Sequence, residues 1–266
     1  QYLLGSLLES ERRFGRGDEY VVAVPTDVTE VEKKAFYDLV YHSEARARSV
    51  RIVERGLTDA LGFGIDVVAE KGIFVANFGG GTTELSVLSE GGMVLNRLLK
   101  IGGEDFDSAI AALVRRNQDF LIGRLTAERL RREFGVFDQS TDSTITVSGR
   151  DLITGVPAQT TVSISLVRAA MKELLEECVR AIKAMIDRTP PNVRSGIREK
   201  GICLTGGMAN LRGLSTYLRE STGLPVMTME EPELCAVRGL QRILLDRAYY
   251  NRLTYSMMDE DYRWLR

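Results

Sequence analysis

Apolar positions along this chain switch repeatedly between a period of two and a period of three to four, which divides it into short strands and amphipathic helices. Residues 20–25 predict a strand, and residues 29–43 a helix capped near Thr29. A short strand at 50–53 leads into a helix that ends about Gly64. Residues 73–88, IFVANFGGGTTELSVL, are two strand-like runs around three glycines, and a further strand at 92–101 stops at Gly102 and Gly103. Residues 104–117 place Phe106, Ile110, Leu113 and Val114 on one helix face, and Thr126 to Phe134 predict a second helix, basic on its solvent side. A hairpin, 144–148 with 159–164, closes around RDLITGVP, and a long helix from Leu166 to Arg188 is ended by Pro190 and Pro191. Near the far end, ICLTGGMANLRGL at 202–214 reads as a strand running into Gly206 and Gly207 and then a helix. Strands and helices in this alternation predict an α/β fold, with helices packed on mixed sheets.

The two glycine turns are the candidate chemistry. Bare backbone at Gly79, Gly80 and Gly81 lets successive N–H groups face an anion with no Cβ in the way, and Thr82 and Thr83 add hydroxyl groups. At Gly206 and Gly207 a strand meets a predicted helix N-terminus, which favours an anion or a closely packed nucleotide. A glycine-rich turn can also be only a turn. Neither motif has the spacing of GxxxxGK[ST] or GxGxxG, so the P-loop and dinucleotide readings fail.

Composition narrows the partners. A net charge of −2, with no basic run, argues against a nucleic-acid binder. His42 is the only histidine, which excludes a histidine metal cluster and a serine–histidine triad. Cys178, Cys203 and Cys235 are too far apart for a CxxC pair and read as buried thiols. No run of about 20 apolar residues is present, so a cytoplasmic location is the default expectation.

Two glycine turns about one domain apart resemble the actin-like ATPase superfamily, in which two similar domains clamp a nucleotide. Ordered matches narrow this to the bacterial MreB family: VAVPTDVTEVEKKAF at 22–36, the glycine hairpin, KIGGEDFDSAI, LVRRN, LIG, TAERLRREFG, SGRDLITGVP, RTPPNV and the second glycine site. The resemblance spans roughly Gln1 to Leu245. It implies an actin-like (ribonuclease H-like) fold and bound ATP or ADP with magnesium. By position, Gly79, Gly80, Gly81, Thr82 and Thr83 would meet the terminal phosphates. Glu128, Arg129 and Arg131 would meet the ribose and base, and Gly206, Gly207, Met208 and Ala209 the adenosine and inner phosphates. Met208 replaces a frequent third glycine, and Arg131 a usual lysine. The implied organisation is residues 1–71 as a remnant of the first domain, lacking its initial strands. Residues 72–101 with 165–246 form a second large subdomain, 102–164 a small inserted one, and 247–266 a tail.

The departures bear on catalysis. The family's opening D-x-G-T segment has no match in these residues, and Asn77 stands where the second phosphate motif has aspartate, so no metal-binding carboxylate is assigned. Glu54, in RIVERGLTDALGFG, aligns with the glutamate that positions the attacking water. It could equally be a solvated residue at a helix start. Its neighbours are Arg55 and Gly56, and Arg55 is expected to pull the Glu54 side chain out of place. At most a slow ATPase is expected.

Family resemblance further implies self-assembly into filaments, partners in cell-wall synthesis and the rod complex, and peripheral contact with the inner membrane face. Here that contact would rest on Phe14 among Arg12, Arg13 and Arg16. The aromatic tail, Tyr249 to Arg266, is expected to fold back over the sheet edge of its own chain or to dock a partner. The leading expectation is a cytoskeletal filament protein of cell shape with weakened nucleotide binding. The alternatives are a scaffold of the same fold that needs no nucleotide, and a sugar kinase or phosphatase of that superfold.

Overall fold

The structure is a computed structural model and describes residues 18–43, 47–135 and 143–258. Its centre is a five-stranded sheet in the order β10-β9-β3-β4-β5, made by β3 (Ile73–Phe78), β4 (Thr83–Ser89), β5 (Gly92–Leu99), β9 (Ile202–Thr205) and β10 (Val226–Met227). β3, β4 and β5 are successive antiparallel strands, whereas β9 runs parallel to both β3 and β10. A parallel pair, β1 (Glu19–Val24) and β2 (Ser49–Glu54), forms a second sheet. A third joins β6 (Phe120–Leu121), β7 (Thr144–Asp151) and β8 (Pro157–Ser163).

Both faces of the central sheet are covered, which explains why β3 and β4 are buried along their whole length. Phe74, Ala76, Phe78, Leu85 and Val87 point to a large core built with α3 (Gly103–Gln118), α4 (Arg124–Phe134), α5 (Ile164–Arg188) and α7 (Leu214–Thr222). Ile73, Val75, Leu88 and Cys203 point the other way, onto α2 (Arg55–Gly62), α8 (Cys235–Leu245) and α9 (Arg247–Leu253). The alternation of strand side chains then puts Asn77, Glu84 and Thr205 on the α2 face, and the register makes Asn77 the direct neighbour of both others. A row of three polar residues thus crosses the sheet beneath a helix.

Helix packing on that side is close because two glycines allow it. A Cβ on Gly62 would lie 1.9 Å from the Cys235 carbonyl oxygen, and one on Gly239 would lie 1.8 Å from that of Thr58. The predicted cap at Thr29 is present: its side chain accepts from Glu32 N–H, and Glu32 reaches back to Thr29 N–H at 2.7 Å, starting α1 (Glu30–Tyr41).

Three expectations change. Pro191 does end the long helix's segment, but it also opens α6 (Pro191–Lys200), since a first helical residue needs no N–H. The helix expected from Thr126 begins at Arg124, after Gly123. Gly207–Asn210 form a short 3-10 helix that Gly206 caps, and the α-helix starts only at Leu214, so no α-helix N-terminus meets Gly206. The tail does fold back within the described residues: α9 packs on the second core, and Tyr255 exchanges both backbone hydrogen bonds with Ile52, taking the edge of β2. Trp264 and Phe14 with its arginines lie outside the described residues.

Candidate functional site

The parallel pairing of β3 with β9 aligns Asn77 with Thr205, so both glycine turns leave the same end of neighbouring strands. The carboxyl ends of adjacent parallel strands are where open α/β sheets bind ligands. The turns nearly touch. Gly206 has φ +84°, and a Cβ there would sit 2.4 Å from the Phe78 carbonyl oxygen and 2.6 Å from Asn77 Oδ1, so only glycine fits. Gly80 and Gly81 have open space where a Cβ would stand. Gly102 packs against that turn, and the N–H groups of Gly103 and Glu104 donate to the carbonyls of Gly79 and Gly80, fixing the loop on α3.

Beside the turns lies a cavity of about 550 Å³, bounded by Gly80, Gly103, Glu128, Arg131, Arg132, Gly207, Met208, Asn210, Leu211 and Glu233. That volume is in the range of small-ligand sites. Of the residues singled out from the sequence, the structure brings Gly80, Glu128, Arg131, Gly207 and Met208 to this one wall. Arg132 and Glu233, which the sequence reading missed, stand with them: Arg132 pairs with Glu128 at 2.8 Å, and Glu233 accepts from Asn210 Nδ2 at 2.8 Å. Ala209 packs against the core instead.

Several predicted roles meet a different geometry. Arg131 is 8% exposed and held in bidentate fashion by Asp107, at 2.6 and 3.2 Å, while its Nη1 contacts Met208 Sδ at 2.7 Å. Its guanidinium is committed to the protein and not laid open for stacking. Arg129 faces solvent, near Glu133 and the Thr146 carbonyl. Thr83 is fully buried and its hydroxyl donates to the Ile101 carbonyl at 2.8 Å. Met208 needs no special backbone, because the positive φ of the loop falls on Gly206.

Glu54 is set apart. It lines a second cavity of about 280 Å³ with Asp27, Lys33 and Asn96, and this cavity shares no lining residue with the first. Oε1 of Glu54 accepts from Tyr255 Oη at 2.9 Å and lies 3.4 Å from Lys33 Nζ. Arg55 does not displace it, contrary to expectation. The Arg55 guanidinium turns to Glu84, whose other oxygen accepts from the backbone and hydroxyl of Thr26 at 2.8 and 3.2 Å. Glu84, 3% exposed, therefore ties the turn after β1 and the start of α2 to the central sheet.

The residue that sequence reasoning missed altogether is Asp59. It sits on α2 one turn after Arg55, is 1% exposed, and accepts from Asn77 Nδ2 at 2.7 Å. Burial pushes its carboxyl up to about 7, opposed by the Asn77 hydrogen bond and by Arg55, while Glu84 raises it further. Its Oδ1 has no hydrogen-bond partner. The Thr205 hydroxyl is equally unpartnered, yet near enough to favour the ionised form. The three thiols are buried, and burial pushes each up to about 12, which makes them inert as nucleophiles.

The sequence profile of the MreB/Mbl protein family matches residues 2–252. The chain is 40% identical over 220 residues to the cell shape-determining protein MreB of Escherichia coli K12, and 33% identical over 220 residues to the cell shape-determining protein Mbl of Bacillus subtilis 168. Each alignment covers 82% of this chain but only 63% and 66% of those relatives, so the chain spans just under two thirds of their length. Among solved structures, MreB5 of Spiroplasma citri bound to ADP superposes with a TM-score of 0.87 at 26% identity, over 94% of this chain and 75% of that one. The same protein is known with AMPPNP, at a TM-score of 0.85. The MamK double helical filament, 18% identical with a TM-score of 0.76 over 92% of this chain and 74% of that one, shares the actin-like fold. With its profile matched almost from end to end, the chain belongs to the MreB/Mbl family.

Proposed function

We propose that this chain works as an MreB-type filament subunit of cell-shape maintenance and guidance of cell-wall synthesis, and that it holds an adenine nucleotide at the ends of β3 and β9. The observation that carries the reading is the meeting of two glycine turns at one end of a parallel strand pair, beside a cavity of about 550 Å³. Gly79, Gly80, Gly81 and Thr82 would face the terminal phosphates. Gly206, Gly207 and Met208 would close on the inner phosphates, with Glu128 and Arg132 toward the ribose and base. Arg131 would shape the wall through its pair with Asp107. Thr83 and Arg129 have no part in this version, because the first donates to a backbone carbonyl and the second faces solvent.

The residues fit a nucleotide better than they fit its magnesium ion. At the turns the nearest oxygen in the expected carboxylate position is the neutral carbonyl of Asn77. Magnesium, when bound, would neutralise phosphate charge, and a hard cation prefers an anionic oxygen to an amide. Glu54, tied to Lys33 and Tyr255 in a separate cavity, would have to change partners to position a water. Hydrolysis is therefore at most slow in this reading. The separate sheets support a first domain within residues 1–71, a large one from 72–101 and 165–246, and a small insert at 102–164. Among the described residues no helix is long and apolar enough to cross a membrane. Contact with the inner membrane face and with rod-complex proteins would follow from the family reading.

Calorimetric titration with ADP, and with ATP and magnesium, tests the nucleotide site, and light scattering above a critical concentration tests assembly. Saturable heat that Gly206→Ala abolishes is the expected result. A folded chain giving no heat and no thermal shift would leave the second reading, a partner-binding scaffold, which the closed Arg131–Asp107–Met208 cluster favours.

A further inference from the structure

The nucleotide reading leaves one buried charge unused. Asp59 lies on α2 directly behind Asn77 and accepts from its Nδ2 at 2.7 Å. With Nδ2 donating to Asp59, the Asn77 amide turns its NH2 toward α2 and its carbonyl away. That carbonyl oxygen lies between the two glycine turns, 2.6 Å from where a Cβ on Gly206 would be and 3.8 Å from one on Gly79. Family resemblance puts a negative charge on residue 77. In this chain a carboxyl group is present, but one side chain further back.

We propose that Asp59 and Asn77 act as one unit, Asp59 fixing the amide so that a neutral oxygen, in place of a carboxylate, faces the phosphates while the acidic group stays buried behind it. This rests on the nucleotide reading, and Asp59 is a positioning residue that touches no phosphate. An incidental core contact would be poorly served by this arrangement. Asp59 Oδ1 and Thr205 Oγ1 are both buried and have only each other nearby in place of well-formed hydrogen bonds, although apolar side chains there would remove that cost. Arg55 from its own helix and Glu84 from β4 flank the carboxyl, and Cys235 packs against it from α8. Burial lifts the Asp59 carboxyl toward neutrality, a standing cost that a purely structural role does not explain.

Asn77→Asp alone, which restores the family residue, would set two carboxylates at hydrogen-bond distance, where like charges cannot both ionise freely. The exchange Asp59→Asn with Asn77→Asp would move the charge to the front without adding to it. Four proteins decide the matter: the parent chain, each single variant and the exchange. Each is followed by thermal midpoint and by ADP titration with and without magnesium. Asn77→Asp is expected to lower the midpoint by several degrees without tightening binding, and the exchange to restore it. Asp59→Asn is expected to raise the midpoint yet weaken magnesium-dependent ADP binding about tenfold, with recovery in the exchange. Asp59→Asn binding ADP as the parent does would overturn the proposal, as would an Asn77→Asp variant that is fully stable and binds more tightly. If none of the four binds nucleotide, the nucleotide reading falls. The pairing is then decided by the additivity of the midpoints and by whether the Asn77 side-chain amide protons exchange faster in Asp59→Ala. Additive midpoints and unchanged exchange would sink it.

Discussion

Asp107 and Asp59 are both almost wholly buried, 4% and 1% exposed, yet only Asp107 meets an opposite charge face to face. Both oxygens of Asp107 are engaged by Arg131, which makes the cavity wall a closed, neutral unit. Asp59 meets an amide dipole on one oxygen and only the loosely placed Thr205 hydroxyl near the other, and its nearest cation, Arg55, spends its hydrogen bond on Glu84. A fold of this size can seal a charge inside by pairing it or by letting it drift toward neutrality, and this chain does each close to the two glycine turns. The paired wall is rigid structure. The unpaired floor is held at a cost, which is why function is sought there.

The comparison breaks most visibly if the wall is cut. Asp107→Ala would leave the Arg131 guanidinium buried without its acceptor, and unfolding in urea at neutral pH should show a loss of about 3–5 kcal/mol. A loss under about 1 kcal/mol would mean Arg131 finds another acceptor, and the wall would not be the sealed unit described. Next comes the floor, read by pH. The Asp59 carboxyl is raised from an ordinary 3.8 to about 7, so the folded chain keeps this proton longer than the unfolded one. Its contribution is complete below about pH 4, declines as pH rises toward 7, and is lost above that, a change on the order of 4 kcal/mol at most. Asp59→Asn should match the parent near pH 4 and become progressively more stable than it toward pH 8. Exposed carboxylates such as Asp66 and Asp151, which are shifted downward by backbone N–H donors, act in the opposite sense, and cancel in that difference. A difference that stays flat from pH 4 to 8 would place the Asp59 proton elsewhere.

Much of this architecture could be read from periodicity because it is local. The hairpin around Gly79, the Thr29 cap and the apolar face of Phe106, Ile110 and Val114 each depend on residues a few positions apart. The floor could not, since Asp59, Asn77, Glu84 and Thr205 meet only through sheet register and a helix packed across it. The alternation in TTELSVL looks like a strand with one wet face, yet Glu84 and Ser86 are buried because α2 covers that side. One signal was available: an aspartate inside RGLTDALG, a short helix otherwise apolar on its packed side, four residues after an arginine. At the wall, position in the family pattern suggested that Arg131 would meet the ribose and base, and only the structure shows Asp107 holding it.

Smaller substitutions sharpen the contrast at the edge shared by wall and floor. Gly206→Ala forces a side chain into φ +84° and against the Phe78 carbonyl, a strain of roughly 1–3 kcal/mol by thermal unfolding that should also displace Asn77 Oδ1. An unchanged midpoint would show that the two turns can move apart, and the close clamp would be incidental.

Met208→Leu is the mildest test and the most selective. It keeps the volume of a side chain that is 4% exposed but removes the sulfur that Arg131 Nη1 touches. Volume-conserving exchanges in a core cost less than about 1.5 kcal/mol, and with both Asp107 oxygens still engaged the expected loss is near the bottom of that range. Equilibrium unfolding of Met208→Leu, Asp107→Ala and the double variant separates the two partners. If Asp107 alone neutralises Arg131, the leucine adds little in either background. A loss as large as that from Asp107→Ala would instead make the sulfur contact part of what holds the charge, and the wall would then be a three-membered cluster whose sensitivity to methionine oxidation reaches the cavity directly.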